Sequence, residues 1–237
     1  MHHLFPESKP YPPYVIGAVT DWDTWLDLSD PAGMPPCNAV ELRVDALPAS
    51  IDCDTILNHW IWKPVLVTIR RQEEGAFRPI PDAERMDAAC RLMSRASGLD
   101  WEIACMPQAT ELLKEAKNAS VTIVASAHFF DRMPELDTFR RLEEQARNQG
   151  ADVVKFAFRL RTLDEMMRGT EILSHATGPT AIMGMGPLGP TSRLLYAQLG
   201  SVLVYGYLGD NESAPGQWPA HLFQNALLNL EAFRTPE

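Results

Sequence analysis

Eight short runs of β-forming residues recur along the chain with helical patterns between them, and that alternation constrains the fold more than any other feature. The runs are Tyr14–Thr20, Ala39–Val44, Val65–Arg70, Leu99–Ala104, Val121–Ala127, Val153–Phe158, Thr180–Met185 and Ser201–Leu208. Most are rich in β-branched or aromatic residues. Pro81-Asp82-Ala83-Glu84 opens a helix toward Ala96, with Pro81 suited to a first-turn position. Gln108–Asn118 is rich in the helix formers Ala, Leu, Glu and Lys. Pro134–Gln149 carries Leu136, Phe139, Leu142 and Ala146 at helical spacing, and Gly150 stops it. Thr162 and Glu165 form a capping-box pattern opening Leu163–His175. Shorter helices are expected at Cys53–Trp60, Thr191–Leu199 and Pro219–Phe233, and one near Asp23–Leu28 within the connection Trp22–Asn38.

Strand–helix alternation implies a parallel sheet, because each helix carries the chain back to start the next strand. Eight units favour an α/β fold closed as a (β/α)8 TIM barrel, with an open doubly wound sheet as the second reading. No Pro/Gly/Ser-rich linker divides the 237 residues. One domain is therefore expected over 1–237, with 1–13 as an extended N-terminal arm around Pro6, Pro10, Pro12 and Pro13.

Charge and cysteine usage exclude several functions. A net charge of −10 argues against nucleic acid or an anionic membrane as partner. No apolar run approaches the length of a membrane span, and no secretory signal pattern opens the chain. The four cysteines form no CxxC pair, which points to free thiols in a reducing cytoplasm and away from structural zinc.

Active groups in such a barrel gather at the C-terminal ends of the strands, and the unusual polar residues fall there. Glu41, Arg43 and Asp45 alternate along the second strand, so one face is expected to hold all three. Arg70 ends the third, followed by Glu74. Asp100 and Glu102 flank Trp101, and Ser126-Ala127-His128 ends the fifth strand. A Gly-rich turn, Gly184 to Arg193, follows the seventh, and Ser213-Ala214-Pro215-Gly216-Gln217 follows the eighth. In the sixth strand, alternation puts Val153, Lys155 and Ala157 on one face and Val154, Phe156 and Phe158 on the other. Lys155 has two readings: a stem packed in the strand with its ammonium at the rim, or an amine in a low-dielectric pocket, favoured as a neutral nucleophile that forms an imine with a carbonyl. Glu41, Arg43 and Asp45 could equally be a structural ion-pair network, and the glycines could serve tight turns alone.

Six ordered motifs carry a family resemblance: Glu41-Leu42-Arg43-Val44-Asp45; Thr68-Ile69-Arg70 with Glu74-Gly75; Ser126-Ala127-His128; Val154-Lys155; Gly184-Met185-Gly186 with Gly189 and Ser192-Arg193; and Ser213 to Gln217. The chain resembles the type I 3-dehydroquinate dehydratases, imine-forming barrel enzymes of the shikimate pathway. The resemblance implies a hydro-lyase that converts 3-dehydroquinate to 3-dehydroshikimate and water without cofactor or metal, as a cytoplasmic homodimer. It further implies that Lys155 forms the imine, that His128 is general base and then general acid, and that Glu74 orients His128 and supports its charged form. Arg193 would grip the substrate carboxylate, and Glu41, Arg43, Arg70, Ser213 and Gln217 would complete the binding pocket. The chain departs from the family pattern at Phe129, Ala76, Gly184 and Arg159-Leu160.

Two other chemistries use the same residues. A Schiff-base aldolase would share Lys155 and hold a phosphate at the Gly-rich turn. A metal-dependent lyase would take Glu41, Asp45, Glu102 and His128 as ligands.

Overall fold

The computed structural model describes residues 4, 13–28, 36–210, 212, 214 and 216–231. Among them, strand and helix alternate eight times. The strands are β1 (Tyr14–Val19), β2 (Ala39–Arg43), β3 (Val65–Thr68), β4 (Gly98–Glu102), β5 (Thr122–Phe129), β6 (Val153–Arg159), β7 (Thr180–Met185) and β8 (Leu203–Tyr207). The helices are α1 (Trp22–Asp27), α2 (Cys53–Asn58), α3 (Asp82–Leu92), α4 (Thr110–Asn118), α5 (Leu136–Asn148), α6 (Leu163–His175), α7 (Gly189–Gln198) and α8 (Ala220–Leu230). The expected arm over 1–13 lies outside the described residues except for Leu4 and Pro13.

Local chemistry fixes the helix ends. Asp21 and Asp52 accept from the Thr24 and Thr55 backbone N–H groups, capping α1 and α2. Thr162 Oγ1 accepts from Glu165 N at 3.1 Å and starts α6. Gly150, at φ 93°, follows α5 in the left-handed region that a side chain disfavours.

The strands pair in parallel in the order β7-β6-β5-β4-β3-β2-β1-β8. Closure falls between β7 and β8, where Val202 N donates to Thr180 O at 3.0 Å and Ile182 N donates to Ser201 Oγ at 3.0 Å. The result is a (β/α)8 barrel. Its core has two compartments, as strand alternation requires. Val154, Phe156 and Phe158 belong to the layer between strands and helices, where Phe139 of α5 meets the two phenylalanines at ring centroids 5.0 and 5.5 Å apart. Val153 and Ala157 face the barrel interior with Ile16, Leu66, Val124, Ala181, Met183 and Tyr205. Lys155 shares that inner face. No helix among the described residues is long and apolar enough to cross a membrane.

Candidate active site

At the C-terminal end of the barrel the inward side chains change from apolar to charged. Lys155 is only 4% exposed, yet it lines a cavity that holds about 550 Å3 of space including its open mouth. Its ammonium donates to Asp100 Oδ2 at 2.9 Å and lies 3.7 Å from Glu41 Oε1. The pocket around this amine is buried but not apolar: two carboxylates hold the nitrogen. Burial of a lone ammonium would be prohibitive, and ion pairing is what permits it.

Asp100 accepts three bonds in all. Beyond Lys155, Arg70 Nη2 donates to its Oδ1 at 2.7 Å and Ser126 Oγ at 2.6 Å. These cations and the hydroxyl hold its carboxyl well below the ordinary range against the opposing cost of burial. Arg70 extends the network, donating through Nη1 to Glu102 at 2.9 Å and to Ser126 at 2.8 Å. Glu102 also takes Arg85 of α3, whose guanidinium stacks 4.7 Å above the Trp101 ring. Arg70 borders the cavity, but most of its donors are committed to orienting Asp100 and Glu102.

His128 is one inward position above Lys155 on the neighbouring strand. The register pairs Ser126 with Lys155 and His128 with Ala157, so the imidazole stands two residues, roughly 6.6 Å, nearer the mouth. Glu74, in the 3-10 turn Gln72–Glu74, fixes it: Oε2 accepts from His128 N at 3.1 Å and faces Nδ1 at 2.9 Å. An acceptor at Nδ1 puts the ring proton there and leaves Nε2 as the basic nitrogen. Burial, with the charges of Arg70 and Lys155, pushes the His128 pKa well below 6.5. Burial, against the lowering pull of Arg70 and reinforced by the Glu102 charge, raises the Glu74 carboxyl to about 7. Glu74 thus orients the ring. Desolvation and two nearby cations favour the neutral imidazole, the form a general base needs.

Arg193 enters from the second turn of α7 and is 2% exposed. Its Nη1 donates to Tyr205 O at 2.7 Å, its Nε has no partner among the described residues, and burial lowers its pKa to about 10. A buried guanidinium with an open donor has the chemistry to take an anion.

The remaining expected residues divide. Arg43 lines the cavity and is anchored through Nε and Nη2 to Asp45 at 3.0 and 2.8 Å. Asp45 does not join Glu41 and Arg43 on the inner face. β2 ends at Arg43, and a 3-10 turn over Val44–Ala46 turns Asp45 away to accept from Arg70 N and Phe77 N. Glu41 and Gln217 both line the cavity, and Glu41 also accepts from Thr68 Oγ1 at 2.8 Å. Ser213 lies outside the described residues.

The glycines of the β7–α7 turn serve backbone contact: a Cβ on Gly189 would come 2.8 Å from Gly216 O, and one on Gly216 would strike Gly186 O. Close approach of the two loops brings Ala214 and Gln217 to the cavity wall. Nor do Asp45 and Glu102 join Glu41 and His128 as a ligand set, because Arg43 holds the first and Arg70 and Arg85 hold the second. Sequence reasoning singled out Asp100 and Ser126 without giving them a role, and left Met183, Met185 and Tyr205 off the cavity wall. Strand alternation would have turned each of them inward.

A family model described as Type I 3-dehydroquinase matches residues 30–233. The chain is 30% identical over 211 residues to the 3-dehydroquinate dehydratase of Methanocella arvoryzae, covering 87% of this chain and 92% of that protein. Against the Geobacillus kaustophilus 3-dehydroquinate dehydratase, identity is 32% over 180 residues, covering 72% and 68%. The crystal structure of 3-dehydroquinate dehydratase from Geobacillus kaustophilus shares the fold, with a TM-score of 0.83 at 23% identity over 99% of this chain and 100% of that one. Fold and sequence relationship together define a barrel enzyme of the lyase class. With the family model spanning nearly the whole chain, the protein belongs to the type I 3-dehydroquinase family.

Proposed function

We propose that the protein dehydrates 3-dehydroquinate to 3-dehydroshikimate through an imine on Lys155, with His128 moving the protons. The observation that carries this reading is a buried amine on the cavity wall with a neutral, oriented imidazole one step above it on the adjacent strand.

The sequence of steps follows from the contacts. The Lys155 ammonium gives up a proton, for which Asp100 and Glu41 are the acceptors in reach. The free amine attacks the substrate ketone, and water leaves as the C=N bond forms. A protonated imine withdraws electrons from the adjacent carbon, whose proton His128 Nε2 removes, leaving an enamine. The enamine pair then expels the hydroxyl on the next carbon, and His128 returns its proton so that the group departs as water. Hydrolysis of the iminium frees the product and Lys155.

Arg193 receives the carboxylate, and Glu41, Arg43, Arg70, Gln217 and Ser213 surround the rest of the ligand. An open donor on Arg193 supports the first assignment. Positions on the cavity wall support the others except Ser213, whose place rests on the family resemblance. Steady-state turnover of 3-dehydroquinate tests the core of this reading. Lys155→Ala should be inactive, and a Lys155→Ala variant retaining near-normal dehydration would end it.

The reading also takes the protein as one barrel domain that works as a cytoplasmic homodimer. Free cysteines, including the exposed Cys90, support a reducing compartment. Apolar side chains on the outer helices, Leu163 and Met167 of α6 and Leu222 and Leu228 of α8, support burial against a second copy. Sedimentation equilibrium giving only the 26.5 kDa single-chain mass would remove the dimer.

A further inference from the structure

The inner wall of β8 supplies a residue in direct contact with the amine. Tyr205 is buried among the inward-facing side chains, and Lys155 Nζ lies over its ring, 4.1 Å from the centroid. We propose that Tyr205 is a positioning residue whose ring face holds the Lys155 nitrogen in its charged forms, first as ammonium and then as the substrate iminium. This rests on the imine reading above.

The change in donors on condensation separates the ring from the carboxylates. An ammonium has three N–H groups, enough for Asp100 at 2.9 Å and Glu41 at 3.7 Å together. An iminium has one N–H, so it cannot bond to both. The positive charge remains, and attraction to an aromatic face depends on charge rather than on donor count. The ring is thus the contact that survives the step unchanged. It favours the protonated imine over the neutral one, and only the protonated form withdraws electrons strongly enough to acidify the neighbouring carbon. In a desolvated site the attraction is at the upper end of its range.

Two features make the ring face the operative part of this side chain. The phenol oxygen is buried without a hydrogen-bond partner among the described residues, so phenylalanine would break no side-chain bond. Burial and the charges of Glu41 and Asp100 push its pKa well above the ordinary value, so the hydroxyl stays neutral and no phenolate supplies the attraction. Other charged or titratable groups face the nitrogen from the surrounding elements: Glu41 on β2, Asp100 on β4, His128 on β5, Arg70 after β3 and Arg193 on α7. Substitution at position 205 leaves all of them in place.

The test is the pH dependence of kcat for the wild type, Tyr205→Phe, Tyr205→Leu, and a series with phenylalanine bearing one, two and three ring fluorines at position 205. Fluorine drains the ring face with little change in shape. The alkaline limb of kcat reads loss of the iminium proton. Tyr205→Phe should keep the wild-type limb, and Tyr205→Leu should move it to lower pH by about 0.4–1.5 units. The fluorinated variants should fall between, in order of fluorine count. A limb that does not move, or moves without that order, overturns the proposal. If Tyr205→Leu fails to fold, the fluorinated series decides alone. Borohydride trapping on every protein separates the two readings: no Lys155 adduct in the wild type ends the imine mechanism, whereas adducts throughout with an unmoved limb end only the role of Tyr205.

Discussion

Replacing Arg193 by methionine removes a buried cation while keeping most of the volume of its stem. Arg193 is 2% exposed, and among the described residues its guanidinium donates to Tyr205 O at 2.7 Å. Burial lowers its pKa from 12.5 to about 10. At 1.36 kcal/mol per unit, that corresponds to about 3 kcal/mol of unfavourable charge burial at neutral pH. Methionine removes this cost and loses one hydrogen bond worth about 1 kcal/mol. The free Arg193→Met protein should therefore be more stable than wild type by about 2 kcal/mol. Affinity should move the other way: a carboxylate facing an apolar side chain in place of a guanidinium loses roughly 2–5 kcal/mol. Urea unfolding with and without 3-dehydroshikimate reads both effects. The ligand should raise the wild-type midpoint strongly and leave that of Arg193→Met nearly unmoved, with Arg193→Lys restoring only part of the response because an ammonium lacks the fork. An Arg193→Met protein less stable than wild type, or one that binds the ligand equally well, would refute the reasoning and make Arg193 a structural clamp.

Other perturbations separate the remaining roles. His128→Ala should still form the borohydride adduct while losing turnover by ~10²–10⁴-fold, as expected for a general acid–base group; near-normal turnover would shift the proton transfer to Glu74. Glu74 has a folded pKa of about 7 against 4.5 unfolded, so its contribution to stability is complete below pH 4.5 and is lost as pH rises through 7. Urea midpoints of wild type and Glu74→Gln should therefore lie close together at pH 4.5 and separate by pH 8, with the variant more stable by roughly 2–3 kcal/mol. Gly184→Ala should cost about 1–3 kcal/mol by overpacking, because its Cβ would strike Leu160 and Ser192 Oγ. Adding Leu160→Ala should recover part of that loss in a double-mutant cycle, and an unchanged urea midpoint for Gly184→Ala alone would rule the clash out.

Much of this arrangement was legible in the sequence because strand alternation is a strict geometric rule. It put Lys155 on the inner face with Val153 and Ala157, and the barrel has them there. The rule failed at Asp45, because β2 stops at Arg43, one residue short of the expected Val44, and a 3-10 turn takes over. The helix expected from Thr191 begins two residues earlier, at Gly189, because proline is tolerated in a first helical turn. Asp100 was visible as a polar residue in an apolar run, but its partner is 55 positions away. Only the register of three neighbouring strands, β4, β5 and β6, brings that carboxylate to the amine. Tyr205 was hidden for the same reason, since an aromatic residue in a strand is ordinary until the sheet closes and lays its ring beneath Lys155. The neutral state of His128 needed more still, because burial and the two cations beside it exist only in three dimensions.

The central claim is that the buried amine of Lys155 becomes covalently joined to the substrate. Borohydride reduction in the presence of 3-dehydroquinate, followed by intact-mass and peptide-level mass spectrometry, tests it directly. The account predicts irreversible loss of activity and one ligand-derived mass increment per chain, carried by the peptide containing Lys155. No increment, or an increment on a peptide containing Lys9, Lys63, Lys114 or Lys117 instead, would contradict it.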